Sequence, residues 1–319
     1  AEMKCLAFRP LFTSLCVSLL AVATGCSDDG VVVPAEPQPT ETSCTPFGEE
    51  NLAAATALAE QAATAEDGPF FMLNLVKFRE LACYEDGRET ELTGKEADEL
   101  YAPIEFLTAI GAKIRFVAPV EATLLGDGVV WDQVAIVEYP SAAAFLSMVS
   151  DPEFQARAVH KRAGVEKTIV MVSQLMPSML PEDYVPPESP YPATEEDPPV
   201  EVVHVLKFRD QAIYPEGTDF PAATGEEAVA KYSAAAGEVA LPLGVYPSAW
   251  FAVEDVLIGD GRTWDEFRIN HMPSHAAFQA LVNDPARLEA QVHRDAGLED
   301  TYTVLADPFI HTLDPIAGD

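Results

Sequence analysis

The chain has few basic residues and lacks the motifs of several common protein classes. It carries 19 Lys and Arg against 52 Asp and Glu, a formal net charge of −33. Such a charge repels polyanions, so nucleic acid is not expected as a partner. The sequence also contains no nucleophile elbow, phosphate-binding loop, dinucleotide fingerprint or heptad seam. The acidity favours solubility, and cation binding is the alternative explanation.

Cysteine and histidine are scarce, with five and six residues in 319. None of them forms a CxxC or Cys/His cluster of the kind that binds zinc. His271 and His275 are four residues apart, but Pro273 between them argues against a shared helix face. The sequence therefore predicts no metal site and no cofactor.

The N-terminus has the composition of a targeting segment. An apolar stretch over 11–24 follows two basic residues and is too short to span a bilayer comfortably. Ala23-Thr24-Gly25-Cys26 resembles the lipobox of bacterial lipoproteins, which predicts a signal peptide over 1–25 and a lipid anchor on Cys26. A secretory signal or an uncleaved anchor is the alternative. By the lipoprotein sorting rule, Ser27 predicts attachment to the outer membrane of a bacterial cell envelope, facing the periplasm or the surface.

Two cysteines remain once the signal segment and Cys26 are set aside. Cys44 and Cys83 form an even pair in a compartment that is expected to be oxidising. A disulfide between them would tie the start of the folded part to the loop after the first strand. Sequence spacing does not report the Cα separation, so both the bonded and the free state stay open.

The rest of the chain is a tandem repeat. Lys77-Phe78-Arg79 recurs as Lys207-Phe208-Arg209, an offset of 207 − 77 = 130, and later landmarks recur in the same order. Trp131-Asp132 and Trp264-Asp265 are one such pair, now at an offset of 264 − 131 = 133. The predicted organisation is a spacer over 26–48, a first repeat over 49–176, a Pro-rich linker over 177–199, a second repeat over 200–310 and a tail over 311–319.

Each repeat has the pattern strand, helix, strand, strand, helix, strand. In the first repeat the strands are predicted over 70–78, 113–125, 133–139 and 168–175. In the first repeat we expect a leading helix over 49–65, a helix over 95–108, and a main second helix that begins at Asp151-Pro152 and is closed at C′ by Gly164. A βαββαβ unit is a ferredoxin-like sheet with one bare face. The predicted fold is therefore α+β, with two ferredoxin-like units closing an intramolecular dimeric α+β barrel, and the chain is expected to be a monomeric pseudo-dimer.

Several short motifs in a fixed order carry a family resemblance. They are Asn74-Leu75-Val76-Lys77-Phe78-Arg79, Thr93-Gly94, Trp131-Asp132, Tyr139-Pro140-Ser141, and Asp151-Pro152-Glu153-Phe154-Gln155 followed by His160. Together they resemble an uncharacterised family of dimeric α+β barrel domains, domain of unknown function 1330. The resemblance implies the barrel fold and no particular reaction. The second copy departs from it, with His204 for Asn74 and Ala286-Arg287-Leu288 for Glu153-Phe154-Gln155, so two identical sites are not expected.

Four residues are candidates for catalysis. His160 and His293 are equivalent helical residues that could act as general acid or base, or could instead bind the last carbonyls of their helices. Tyr101 and Tyr232 could present phenols to a pocket or could pack in the core.

Five residues are candidates for ligand binding. Asn74 and His204 interrupt apolar strands, so they either line a pocket or hydrogen-bond within the core. Arg79 could bind a carboxylate or neutralise nearby acids. Arg268 and Asn270 replace apolar residues of the first copy, which suggests a polar second pocket with His204 and His293, or merely a half-exposed strand.

These observations support three hypotheses. The first is a lipid-anchored envelope protein that binds a small, largely apolar molecule between sheet and helices. The second, by analogy with related barrels, is a cofactor-independent monooxygenase or isomerase. The third is a non-catalytic interaction module whose pockets are filled by side chains.

Overall fold

The apolar runs and helix caps of the sequence become strands and helices in a computed structural model. The structure describes residues 44–45, 47–314 and 316. The predicted signal peptide, Cys26 with its predicted anchor and most of the predicted spacer lie outside these residues. Across the described ranges, no helix combines the length and the apolar character needed to cross a bilayer.

The first repeat contains five strands and five helices in the described residues. In chain order they are β1 (Glu49–Glu50), α1 (Leu52–Gln61), β2 (Phe70–Phe78), α2 (Gly94–Tyr101), α3 (Ile104–Ala109), β3 (Lys113–Leu125), β4 (Gln133–Tyr139), α4 (Ala142–Val149), α5 (Pro152–Gly164) and β5 (Val165–Leu175).

The second repeat has the same order of main elements. They are β6 (Val200–Phe208), α6 (Gly225–Ala240), β7 (Tyr246–Gly259), β8 (Glu266–Met272), α7 (His275–Val282), α8 (Pro285–Gly297), β9 (Leu298–Ala306) and β10 (Ile310–His311). A short 3₁₀ turn, Leu241–Leu243, follows α6. Because β10 pairs with β3, the chain still contacts the sheet where the sequence predicted a tail.

Capping residues mark the starts of the helices, and a proline divides one helix that the sequence predicted as continuous. Thr93 and Glu96 form a capping box at α2, and Asp151 accepts two backbone N–H bonds at the start of α5. The helix predicted over 95–108 is divided into α2 and α3. Pro103 stands at the division, because proline has no N–H to continue the helix.

Eight strands pair around a closed ring. The first half has the order β5-β2-β4-β3 and the second half the order β9-β6-β8-β7. The edge strands then pair between the halves, β3 with β9 and β5 with β7. All of these pairings are antiparallel, so among the described strands the ring is a barrel without an open long edge. The predicted α+β class is confirmed.

The two faces of this sheet contact different layers. Alternate residues of β2, such as Leu73 and Leu75, point into the barrel, where they pack with Trp131, Phe251 and Tyr302. The other residues face the helices, where Phe70 and Met72 of β2 pack with α4 and α5. The barrel interior is therefore filled by side chains, and room for a ligand has to be sought between sheet and helices.

Paired glycines let the main helices of each repeat cross closely. A Cβ at Gly164 would overlap the carbonyl oxygen of Gly94, and a Cβ at Gly297 would overlap that of Gly225. Gly164 is the last residue of α5, and the residue after it, Val165, has an extended backbone with φ −89°. The prediction of a C′ glycine is wrong here. The close approach of α2 and α5 accounts for the glycine instead.

An ion-pair network links the two repeats. Arg262 donates to Asp127 of the first repeat at 2.9 Å and to Asp300 at 2.8 Å, and its guanidinium also bonds to Asp260. Lys167 of the first repeat lies 3.4 Å from Asp260. The turns Gly126-Asp127-Gly128 and Gly259-Asp260-Gly261 therefore pair with the same two cations, Arg262 and Lys167, where the two repeats meet.

Candidate functional site

The gap between sheet and helices in the second repeat contains a cluster of polar side chains. His204 on β6 and Arg268 on β8 are register partners, and both belong to the strand face that turns toward the helices. Asn270 follows Arg268 on the same face of β8. Thus three residues predicted from the sequence share one layer of the molecule.

Arg268 is held from several sides. Its Nε donates to Glu266 at 2.9 Å, and Nη1 donates to the hydroxyl of Ser233 on α6 at 2.9 Å. The guanidinium carbon lies 4.0 Å from the ring centroid of Trp250 on β7. The side chains of Arg268 and Glu266 are each 14% exposed, so this pair is largely removed from solvent.

Helix α8 brings two further arginines to the cluster. Arg287 donates to the Tyr232 hydroxyl at 3.0 Å, to the carbonyl of Val282 at 3.0 Å and to Gln291 at 2.8 Å, which are all neutral groups. Arg294 reaches the hydroxyl of Thr301 at 3.5 Å. Burial lowers the pKa of Arg294, Tyr232 and Asp295 oppose this change, and the neighbouring arginines Arg287 and Arg268 add to it.

The cluster therefore carries an excess of positive charge. Three guanidiniums, those of Arg268, Arg287 and Arg294, are close enough to influence one another. Glu266 pairs with Arg268 and Asp295 acts on Arg294, so two carboxylates face three guanidiniums among the described residues. In a chain with net charge −33, this is a local reversal of sign. Such a site favours an anion, and arginine binds carboxylates through two parallel hydrogen bonds.

His204 is kept neutral in this setting. Burial lowers the pKa of its imidazole to about 3, and Arg294, Arg268 and Arg287 oppose a further positive charge. Its Nδ1 lies 3.2 Å from the hydroxyl of Thr303. At neutral pH the uncharged imidazole can donate or accept a hydrogen bond with a ligand, while the arginines provide the positive charge.

The indole of Trp250 adds an unused donor. Its Nε1 is buried and has no hydrogen-bond partner within the described residues. Buried polar atoms in proteins are normally paired, so this donor beside Arg268 is free for an additional acceptor.

The same layer of the first repeat has different chemistry. Asn74 stands where His204 does, Ala135 where Arg268 does and Phe154 where Arg287 does. Tyr101 packs edge-on against Phe154, with ring centroids 5.8 Å apart, and burial raises the pKa of its phenol far above the usual range. The amide of Asn74 donates to the carbonyl of Met72 at 3.4 Å. This half is mostly apolar.

The two histidine candidates lie apart from the arginine cluster. The Nδ1 of His160 is 2.7 Å from the Tyr84 hydroxyl, and the Nδ1 of His293 is 2.9 Å from that of Tyr214. Partial burial lowers the pKa of His160, and nearby arginines add to the shift. The structure thus places His293 with Tyr214 and not with His204 and Arg268.

Arg79 contacts the first residues of the described chain. Its guanidinium donates to the carbonyl of Thr45, next to the Cys44–Cys83 disulfide, whose Cα atoms are 5.7 Å apart. The backbone of Arg79 bonds to Gly94 and Gly164 at the helix crossing. It does not join Asn74.

Groups of metal ligands and open grooves among the described residues are the other features that could mark a site. The described residues contain no group of three or more His, Cys, Asp or Glu arranged to hold a metal ion. An open groove of about 510 Å³ lies along α6, lined by Ala222, Ala230, Lys231 and neighbouring residues, and it does not include the arginine cluster.

The sequence predicted His204, Arg268 and Asn270, which share one side of the sheet, but did not indicate the other residues of the cluster. Arg287, Arg294, Ser233, Glu266 and Trp250 come from four different elements. The available signal was the set of differences between the copies. Ala135, Phe154 and Gln133 of the first copy become Arg268, Arg287 and Glu266 of the second.

No protein-family model matches the chain, and no curated protein matches it. An anthrone oxidase-like structure is 15% identical, over 77% of this chain and 93% of its own, with a TM-score of 0.44. A chlorite dismutase from Candidatus Nitrospira defluvii is 14% identical, over 78% and 95%, with a TM-score of 0.42. Both likenesses extend over most of the two chains, and the closed ring of antiparallel strands described above rests on this chain's own strand pairings.

One solved structure has a higher sequence identity. RPA0582, a protein of unknown function from Rhodopseudomonas palustris, is 34% identical to this chain over 99% of its own length and 42% of ours, with a TM-score of 0.37. At that identity along the whole of RPA0582, the chain belongs to the same family.

Proposed function

We propose that the second repeat binds a small molecule with an apolar body and a carboxylate. The observation that supports this most directly is the excess of guanidinium groups over carboxylates in a half-buried layer. An unpaired charge there is costly, so a bound anion would relieve the repulsion among Arg268, Arg287 and Arg294. The carboxylate would take donors from Arg294 and Arg287.

The body of the ligand would lie along the apolar part of the same layer. Val202 and Met272 pack there with Phe278 of α7. Small-molecule sites commonly combine such walls with a few fixed polar groups. The indole N–H of Trp250 would serve a second acceptor on the ligand.

The organisation of the chain supports a proposal about the barrel. A complete relative, RPA0582, matches 42% of this chain, a share close to that of one repeat. We infer two ferredoxin-like units that close one barrel within a monomer, so that the two gaps can differ. The cell-envelope location and the lipid anchor on Cys26 remain predictions from the sequence.

Calorimetric titration of the full chain with benzoate tests the proposed binding. Benzamide and benzylamine keep the ring and replace the carboxylate with a neutral or cationic group. We expect benzoate to bind at least tenfold more tightly than either. Equal affinity for benzoate and benzamide would show that the arginines do not select the ligand.

Arg287→Phe is the matched variant, because it reproduces Phe154 of the first repeat and its packing against a tyrosine. It should weaken benzoate binding at least tenfold and leave the fold intact. Arg157→Gln is the control, since Arg157 lies in the first repeat and pairs with Glu105 at 3.2 Å. The proposal fails if the two variants bind benzoate equally well.

A further inference from the structure

The helix crossing of the first repeat brings together a lysine and an aspartate. Gly94 and Gly164 hold α2 and α5 in close contact. Asp98 lies one turn after Gly94, and Lys161 lies one turn before Gly164. The two side chains influence each other electrostatically, yet their charged atoms are not within 4.0 Å in an ion pair.

Lys161 has an unusual environment for a lysine. Its Nζ lies 5.3 Å from the ring centroid of Tyr101, and no described residue accepts a hydrogen bond from it. The side chain is half-buried, so it is also not fully solvated. The face of the tyrosine ring attracts the ammonium ion, but no hydrogen-bond acceptor replaces the water that it loses.

The electrostatics agree with this geometry. Burial lowers the pKa of Lys161, and Asp98 only partly compensates. Burial raises the pKa of Asp98, with Lys161 again opposing the change. An ordinary lysine is neutral in about one molecule in 2,500 at pH 7, and desolvation increases that fraction. The free amine is a nucleophile, whereas the ammonium ion is not.

The second repeat has none of these features. Arg294 stands at the position of Lys161 and Val229 at that of Asp98. A guanidinium remains charged and does not act as an amine nucleophile. The amine and its acidic neighbour are therefore specific to the first copy.

We propose that Lys161 is a reactive amine that condenses with a small aldehyde or ketone. Its nitrogen adds to the carbonyl carbon and loses one proton, while the carbonyl oxygen gains one, which gives a carbinolamine; the nitrogen loses its second proton when the C=N bond forms. The C–O bond then breaks, a second proton leaves with the oxygen as water, and a C=N bond joins Lys161 to the ligand. No oxidant or reductant is needed.

In this proposal Asp98 supplies the proton that the departing oxygen requires. A carboxyl group with a raised pKa keeps a proton available nearer to neutral pH than an exposed aspartate does. The ring of Tyr101 offers an apolar wall for the organic part of the ligand. This chemistry is independent of the anion site in the second repeat.

Reductive trapping tests the proposal. The full chain is incubated at pH 7 with benzaldehyde and sodium cyanoborohydride, which reduces an imine to a stable benzylamine, and the modified lysines are identified by peptide mass spectrometry. We expect Lys161 to be labelled at least tenfold faster than Lys95, whose side chain is 68% exposed. The advantage should shrink toward pH 10, where exposed lysines also lose their protons.

Two variants sharpen the test. Lys161→Arg reproduces the residue of the second repeat and should remove the fast-labelling site while Lys95 reacts as before. Asp98→Asn should slow the labelling of Lys161 more than that of Lys95. The comparison of Lys161 with the other lysines is made in the unsubstituted protein, so it does not depend on whether a variant folds. Labelling in proportion to exposure, with Lys161 no faster than Lys95, Lys113 or Lys231, would overturn the proposal.

Discussion

The two repeats use one scaffold for two different interiors. Both have a glycine pair at the helix crossing, a Thr-Glu capping box and an Asp-Pro start to the last helix. Between sheet and helices they diverge, since the second contains an arginine cluster and the first contains aromatic rings with Lys161 and Asp98. Duplication thus left the framework fixed and released the lining residues to change.

The largest expected effect tests what the repeats share. Gly164→Ala and Gly297→Ala each place a methyl group against the backbone carbonyl of the partner glycine, which cannot move aside as a side chain could. Overpacking of this kind costs up to about 3 kcal/mol of unfolding free energy, and backbone contact puts these sites at the upper end. Urea denaturation of the two variants measures it.

Each of these two glycine variants serves as the control for the other. If the crossings are equivalent, the losses in the two repeats should agree to within about 1 kcal/mol, the size of ordinary context effects. A large loss in one repeat and none in the other would show that the crossings are not equivalent.

The second prediction concerns Glu266, the acid in contact with the arginine cluster. Glu266→Gln copies Gln133 of the first repeat and leaves Arg268 without its carboxylate partner. Because the side chains of Glu266 and Arg268 are each only 14% exposed, we expect a loss of about 2–3 kcal/mol in unfolding free energy. The affinity for benzoate should rise at the same time, as the net positive charge of the cluster increases.

Denaturation and titration of the same Glu266→Gln protein separate these effects. Glu105→Gln is the matched control, since Glu105 is a largely exposed partner of Arg157, with 78% of its side chain accessible. It should change neither quantity by a measurable amount. A fall in benzoate affinity on removing Glu266 would contradict an electrostatic role for the cluster.

The third prediction uses the pH dependence of His204. In the folded chain its pKa is about 3, whereas an unfolded histidine titrates near 6.5, so below pH 6.5 the unfolded state takes up the proton first. This linkage should cost about 2 kcal/mol of stability at pH 5 relative to pH 8. His204→Asn, which copies Asn74, removes the linkage.

Stability curves of the two proteins from pH 8 to pH 5 check this. The difference between them should change by about 2 kcal/mol in favour of the variant as the pH falls. Curves that stay parallel would mean that His204 titrates normally in the folded chain. His160→Asn serves as a comparison outside the cluster.

The strands were the part of the fold that the sequence determined best. The predicted bounds of β2, Phe70–Phe78, of β3, Lys113–Leu125, and of β4, Gln133–Tyr139, agree with the structure. Local sequence defines these bounds, because β3 ends at the turn Gly126-Asp127-Gly128 and β4 begins directly after Trp131-Asp132. The break at Pro103 and the packing role of Gly164 were missed, because each depends on a neighbouring element that local pattern does not reveal.

The candidate site was predictable only where it lies on strands. Alternation along β8 places Arg268 and Asn270 on one face, and the break in the apolar run of β6 exposes His204 as unusual. Arg287 and Arg294 are seven residues apart on one face of α8, a pattern that normally indicates a solvated helix surface. Only the packing of α8 onto the sheet shows that they turn inward.

The smallest prediction isolates the glycine that the crossing does not explain. Gly237 lies inside α6, and a Cβ there meets no atom within 4 Å. Gly237→Ala should therefore raise the unfolding free energy by about 0.5–1 kcal/mol, because alanine favours the helix and loses less backbone entropy. The same urea assay used for Gly164 and Gly297 measures the gain. Opposite signs for Gly237 and the crossing pairs would establish that close packing, and not helix propensity, maintains glycine at the crossings, whereas a loss at Gly237 would reveal a contact on the open face of α6.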